Sequence, residues 1–294
     1  FTFPINHIDA KNNTQEIDEF KNVIVIGGKA GTLRREVSRL ISGLLGNRYG
    51  NTGFIFVLLT SELLIKYNND LMLIEKLLEN SDPDFINNCK LILEKVDLSV
   101  EPIKYDNKDT ADINYLDKRK KIWKNVYGND EHRDFMYKLS QNNAVINLFN
   151  ATFKSFFNSK NEYSGFIFRV SDPREFKIPE NFSSKYEKFV FLLNAPYNVQ
   201  NMRTKINIDR FDLVSNRGAD FYDAMKDKFD IIDTYDPKEN QDIPVWDIAI
   251  EILRKIEKET QNPNLRKKIN SIFTWAYGDS NSEITSQYPI KTAA

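Results

Sequence analysis

The 294-residue chain carries 41% apolar and 13% aromatic side chains, enough to bury a substantial core and to exclude a disordered chain. Its 41 basic and 42 acidic side chains leave a formal charge of −1, which argues against whole-surface attraction to nucleic acid or an anionic membrane. One cysteine, Cys89, excludes an internal disulfide, a Cys-X-X-Cys redox pair and a multi-cysteine metal site, and two histidines leave a structural zinc without its usual ligands.

A reducing, cytoplasmic compartment is the simplest setting for a single free thiol. No apolar run reaches the roughly 18 residues of a membrane span. The longest, "GFIFVLLTSELLI", is broken by Ser61 and Glu62. The sequence opens on Phe1, from which a native start upstream is expected.

Residues 1–20 are polar and predict a surface segment. Val23 to Ile26 are four consecutive apolar residues, the pattern of a strand buried on both faces of a parallel sheet. In "TLRREVSRLISGLLGN", Leu33, Val37, Leu40, Ile41 and Leu44 recur at helical spacing, with Thr32 as the expected cap and Gly46-Asn47 as the stop. "GFIFVLLTS" predicts a second strand, completing a βαβ unit. From Glu62 to Lys160 apolar residues repeat every three or four positions in four stretches, ending with "HRDFMYKLSQNNAVINLFNATFKSFF", and predict helices. "LSVEPIKYDNKDTAD" interrupts them with a short strand and a loop. Strand signals return at "SGFIFRVSD", "KFVFLLNAP" and "FDIIDTYD", and two helices, "PVWDIAIEILRKIEKET" and "PNLRKKINSIFTWAYG", precede a polar tail. The expected fold is α/β, a Rossmann-like, mostly parallel sheet flanked by helices. Residues 1–61 and 162–294 would form its core and 62–161 a large helical insertion or cap.

The turn after the first strand carries the strongest functional signal. Gly27, Gly28 and Gly31 let backbone N–H groups approach an anion at the positive end of a helix, Thr32 adds a hydroxyl and Lys29 a charge. The turn is similar to nucleotide-binding Rossmann-like turns in general. It differs from a P-loop because Lys29 precedes the last glycine, and from the dinucleotide fingerprint because Ile26 stands where the first glycine belongs. Glu62, expected at the end of the second strand, is a candidate ribose ligand, although it follows Gly31 by 31 residues rather than about 20. The competing explanation is a tight connection that needs glycine for its backbone angles alone.

Two further strand ends carry polar groups. "SDPREF" supplies Asp172, Arg174 and Glu175 as candidate catalytic residues, and "LNAPYN" supplies Asn194, Tyr197 and Asn198. Asp-Pro and Ala-Pro are also ordinary turn formers. Arg217, followed by Gly218, has the chemistry to grip a phosphate or carboxylate bidentately. Asp230, Asp233 and Asp236 are spaced three apart, so only a turn after Asp233 would bring two of them together around magnesium beside a nucleotide.

Other motifs fall away. The His-Arg-Asp of "EHRDFMYKL" lacks the asparagine of a kinase loop, with Leu139 at that position, and no Gly-x-Ser-x-Gly elbow exists. "DKRKKIWK" interleaves charge with an aromatic as single-strand binders do, but fits a solvated helix face at least as well. Scarce histidine and cysteine leave carboxylates, arginines and positioning as the means of group transfer or hydrolysis. The expected ligand is therefore a nucleotide or nucleotide-sugar. A non-catalytic binding module with a protein partner on the helical region is the alternative, and a nucleic-acid-processing protein is the second.

Overall fold

The computed structural model describes residues 21–95, 121–122, 124–159, 165–170, 182, 184–204 and 229–278. Asn22–Gly28 forms strand β1, which has no exposed face: Val23, Ile24, Val25 and Ile26 are all fully buried. It is the centre of a five-stranded parallel sheet completed by β2 (Arg48–Asn51), β3 (Gly165–Arg169), β4 (Glu187–Asn194) and β5 (Asp230–Asp233). The spatial order is β2-β3-β1-β4-β5, so β1 lies between β3 and β4 and its carboxyl end at Gly28 adjoins Leu193. A small antiparallel pair, β6 (Tyr235–Asp236) and β7 (Gln241–Asp242), follows β5.

Alternate residues of the strands face two helical layers. One layer comprises α1 (Arg34–Leu45) and the last two described helices, α8 (Val245–Glu259) and α9 (Pro263–Tyr277). Their Val37, Ile41, Ile252, Leu253 and Ile269 share a buried cluster with Ile24, Ile26 and Phe191 of the sheet. The other comprises α2 (Thr52–Lys66), α3 (Leu71–Glu79), α4 (Pro83–Lys95), α5 (Asp130–Gln141) and α6 (Asn143–Ser159), all between β2 and β3 in the chain. Phe56, Leu59, Phe135 and Phe153 from this layer share one cluster with Val23, Val25, Phe166 and Phe168. Helix α7 (Tyr197–Thr204) leaves the end of β4.

Three local expectations are corrected. "GFIFVLLTS" is not a strand but the first part of α2, and the strand that completes β1-α1-β2 is the polar "RYGN" before it. The reason is burial: Ile55, Phe56, Val57, Leu59, Thr60 and Ser61 are all covered, so the first ten residues of the helix include no exposed position and their 3.6-residue period vanishes. Glu62 consequently lies on an exposed position inside α2, ten residues and about 15 Å beyond its start. The stretch read as one long helix divides into α5 and α6 at Asn142, whose carboxamide oxygen accepts from the backbone of Ala144 (2.9 Å) and Val145 (3.2 Å).

Cys89 lies fully buried on α4, and desolvation pushes its thiol up to about 12. Because the thiolate is the reactive form, native protein is expected to resist a thiol reagent at pH 8 and to label one equivalent in denaturant. Labelling of the native state within minutes would contradict that burial.

Candidate functional site

Open α/β sheets bind ligands at the carboxyl ends of their strands, where successive connections leave in opposite directions. Here that place lies between β1, whose chain runs to β2 on one side, and β4, whose chain runs to β5 on the other. The turn 29–33 and the start of α7 both stand there.

Gly27 and Gly28 belong to the strand itself, paired with Leu192 and Leu193. Gly28 has φ +146°, and a β-carbon on it would lie 2.5 Å from the Leu193 carbonyl oxygen and 2.6 Å from Thr32 Oγ1. Gly31 has φ +76°, and its β-carbon would lie 2.4 Å from the Gln200 carbonyl oxygen. These two glycines are therefore demanded by the close passage of β4 and α7, so packing accounts for their presence without any ligand.

The hydrogen bonds of the turn are one-sided. Three of its five carbonyls are held by the protein: Lys29 O accepts from Thr32 Oγ1 (2.8 Å), Gly31 O from Arg203 Nη1 (2.9 Å) and Leu33 O from Val37 N (3.1 Å). Its amides are not. Among the described residues no hydrogen bond reaches the backbone N–H of Lys29, Ala30, Gly31, Thr32 or Leu33. Lys29, Ala30 and Gly31 are half-buried, while Thr32 is only 1% exposed. A buried donor without a partner is rare because it costs about 1–3 kcal/mol. Thr32 spends its hydroxyl on Lys29 and does not cap α1, correcting its expected role; the N-cap is Leu33, with no side-chain hydrogen bond. Leu33 takes left-handed angles (φ 59°, ψ 18°), a region that a branched side chain occupies at a cost. Gly46 closes α1 as expected, with φ 72° and its N–H on Ser42 O.

α3, α4, α5, α6 and α9, by contrast, have a side-chain oxygen on first-turn amides, from Asp70, Asp82, Asn129, Asn142 and Asn262. The N-cap residues of α1, α2 and α8, namely Leu33, Asn51 and Pro244, make no side-chain cap hydrogen bond among the described residues.

Arg203 was not signalled by any motif, yet it organises this edge. Its Nη1 donates to Gly31 O and to Thr234 Oγ1 (2.9 Å each), and its Nη2 to Thr234 O (2.8 Å) and Asp242 Oδ1 (2.6 Å). Thr234, fully buried after β5, donates its hydroxyl to Asn194 O (2.9 Å). Arg34 in the first turn of α1 donates to Val170 O, just past the end of β3. One network thus joins the ends of β1, β4, β5 and the β6–β7 pair.

Asn194 stands at the end of β4, exposed, with its Nδ2 on Asp233 Oδ1 (3.0 Å), and Tyr197 opens α7 with 45% exposure. Lys29 lies in the turn itself. Glu62 is not brought to this edge, because β2 is two strands from β1 and α2 carries the residue further away. Asp172, Arg174, Glu175 and Arg217 lie outside the described residues, as do the short strand sought near residue 100 and most of "DKRKKIWK". Asp230, Asp233 and Asp236 diverge: Asp230 pairs with Lys255 (2.8 Å), Asp233 meets Asn194, and Asp236 accepts from Lys238 N (2.8 Å) in its own turn. Among the described residues no group of three or more His, Cys, Asp or Glu is arranged to hold a metal. Behind Asp233, burial raises the Glu251 carboxyl while Lys255 draws it down.

No protein-family model matches the chain, and no curated protein does. The residues at the sheet edge are therefore the whole basis for a functional reading. No described helix is long and apolar enough to cross a membrane.

Proposed function

We propose that this chain is a Rossmann-like nucleotide- or nucleotide-sugar-binding protein, with the phosphate against the turn from Gly27 to Thr32. One observation carries the reading: three of the turn's carbonyls are tied to the protein while, among the described residues, no hydrogen bond reaches five successive amides. Such a patch is a cluster of partial positive charges at the dipolar end of α1 and favours an anion. Lys29 is half-buried in the same turn and supplies a full charge.

In the catalytic form of this reading the ligand undergoes group transfer or hydrolysis. β3 ends at the carboxyl edge next to β1; in this proposal Asp172 or Glu175, which follow it in sequence, would act as the acid–base group and Arg174 would stabilise charge, with Arg217 as a second anchor and Asn194 and Tyr197 at the rim. Magnesium, where the ligand brings it, would accompany the nucleotide. The helices between β2 and β3 form the insertion in this scheme. A non-catalytic binding module with a protein partner on the helical region is the second reading, favoured by Ile65 (63% exposed), Met72 (86% exposed) and Leu73 (42% exposed), apolar side chains left uncovered close together in sequence on α2 and α3.

Thermal melting with a panel of nucleotides, with and without magnesium, separates the two. A nucleotide present at about 100 times its Kd should stabilise the protein by about 2.7 kcal/mol, a shift of roughly 5–10 °C at this size. Lys29→Ala should weaken that ligand roughly fivefold, the worth of about 1 kcal/mol. A wild-type shift that Lys29→Ala leaves untouched would put the ligand elsewhere. If no nucleotide moves the melt, the binding-module reading is the one to pursue.

A further inference from the structure

We infer that the seam between α1 and the edge strand β2 binds a small oxyanion, a carboxylate or a phosphate, through Arg39, Tyr49 and Asn51. This site is separate from the glycine turn: β3 stands between β2 and β1 in the sheet, and nothing here requires that turn to hold a ligand. β2 pairs with β3 in parallel, Tyr49 beside Ile167 and Asn51 beside Arg169. Paired residues of a parallel ladder share a face, and Ile167 belongs to the apolar cluster on the α1 side. Tyr49 and Asn51, two positions apart, are therefore both on the α1 face of β2. Arg39, in the second turn of α1, lies over the Tyr49 ring with its guanidinium carbon 5.8 Å from the centroid.

Each of the three side chains carries a buried polar atom with no hydrogen-bond partner: Arg39 Nε, Tyr49 Oη and Asn51 Oδ1. Tyr49 is 1% exposed and Asn51 8%, so bulk water does not satisfy them. Buried polar atoms are nearly always paired, and three unpaired ones along one seam point to a missing common partner. The Arg39 Nε–H and the Tyr49 O–H are donors in want of an acceptor. That acceptor must also offset a charge, because Arg39 makes no ion pair among the described residues. An oxyanion does both at once. Asn51 Oδ1 is an acceptor, so it suits a hydroxyl on the same ligand or a protonated phosphate oxygen. The surroundings are positive: Arg35 precedes Arg39 by one turn and Arg169 is beside Asn51, and α1 carries Glu36 as its one acidic residue. Access is through Arg39, which is half-buried: Nε alone of its guanidinium nitrogens is covered and unpaired.

The test is an NMR titration at constant ionic strength with inorganic phosphate and, separately, with citrate, following the Arg39 Nε–H and the Asn51 side-chain amide resonances. In the wild type at least one probe should move both resonances, and the tighter of the two tells a phosphate ligand from a carboxylate. Tyr49→Phe should bind that probe about fivefold more weakly and Arg39→Met, followed at Asn51, about tenfold more weakly. Because Tyr49→Phe removes an unpaired buried hydroxyl, its melting temperature without ligand should be no lower than that of the wild type. A lower one would mean that the hydroxyl is already satisfied within the fold, and would overturn the site. So would variants that bind the probe as tightly as the wild type. If neither probe moves either resonance, water alone fills the seam and the inference falls. A response that Lys29→Ala abolishes would place the anion at the glycine turn and overturn this site, whereas one that survives Lys29→Ala upholds it whether or not the turn holds a nucleotide. Should Arg39→Met fail to fold, Tyr49→Phe decides: weaker binding upholds the site and unchanged binding overturns it.

Discussion

Gly31→Val is expected to cost roughly 4 kcal/mol of stability and to lower the melting temperature by about 8–16 °C. Two terms add. A β-branched residue at φ +76° is held in a region it rarely adopts, and its β-carbon would meet the Gln200 carbonyl oxygen at 2.4 Å, where backbone on both sides limits relaxation. Gly31→Ala removes the branching but keeps the clash, so it should recover only part of the loss. The measurement is a thermal or urea melt of each variant without ligand. A valine variant as stable as wild type would mean that α7 yields, and the close packing of turn and helix would be wrong. The same expectation governs how ligand experiments are designed. Glycine variants here perturb folding and binding together, whereas Lys29→Ala changes a half-exposed side chain and leaves the backbone of the turn intact.

The fold class was legible where burial and periodicity agree. Val23–Ile26 reads as a strand with no wet face and is one, and α8 keeps a clean apolar stripe in Ile248, Ile252 and Ile256. Gly46 announced the end of α1 because few other residues tolerate its φ of 72°. α2 was illegible for a stated reason: a helix buried on nearly every side carries aromatic and β-branched residues in sequence, as a buried strand does. That error displaced Glu62 from the candidate site. The true β2, "RYGN", has no strand signature because Tyr49 is its one apolar side chain and Gly50, packed under the Phe168 ring, stands where a β-branched residue would be expected.

The candidate site was legible only in outline. Glycines and a lysine between a strand and a helix mark a turn, and the turn stands at the expected edge of the sheet. Which groups satisfy it is a tertiary matter. Arg203 sits 172 positions from Gly31 and Thr234 another 31 beyond, with no local pattern around either to show that they meet. The assignment of Thr32 as a cap failed for the same reason: Leu33 in left-handed angles rotates the start of α1, and the hydroxyl finds Lys29 O instead.

Phe153→Ala is expected to destabilise the whole chain, not the helical layer alone, by about 3–5 kcal/mol. Phe153 is fully buried on α6, with ring centroids 5.0 Å from Phe168 of β3, 5.5 Å from Phe149 and 5.9 Å from Phe182. Truncation opens a cavity where helix and sheet share one apolar cluster, so neither side keeps its contacts. Trp246 and Trp275 lie on α8 and α9 on the opposite side of the sheet, 5.9 Å apart, and report that side independently. In a Trp123→Phe background, their fluorescence and the far-UV circular dichroism should therefore unfold at one urea midpoint, and Phe153→Ala should move both midpoints by the same amount. If the fluorescence midpoint stays in place while the helical signal melts early, helices α2 to α6 fold as a separate unit. A shared shift would instead mean that the strand edge carrying the glycine turn draws its rigidity from both layers at once.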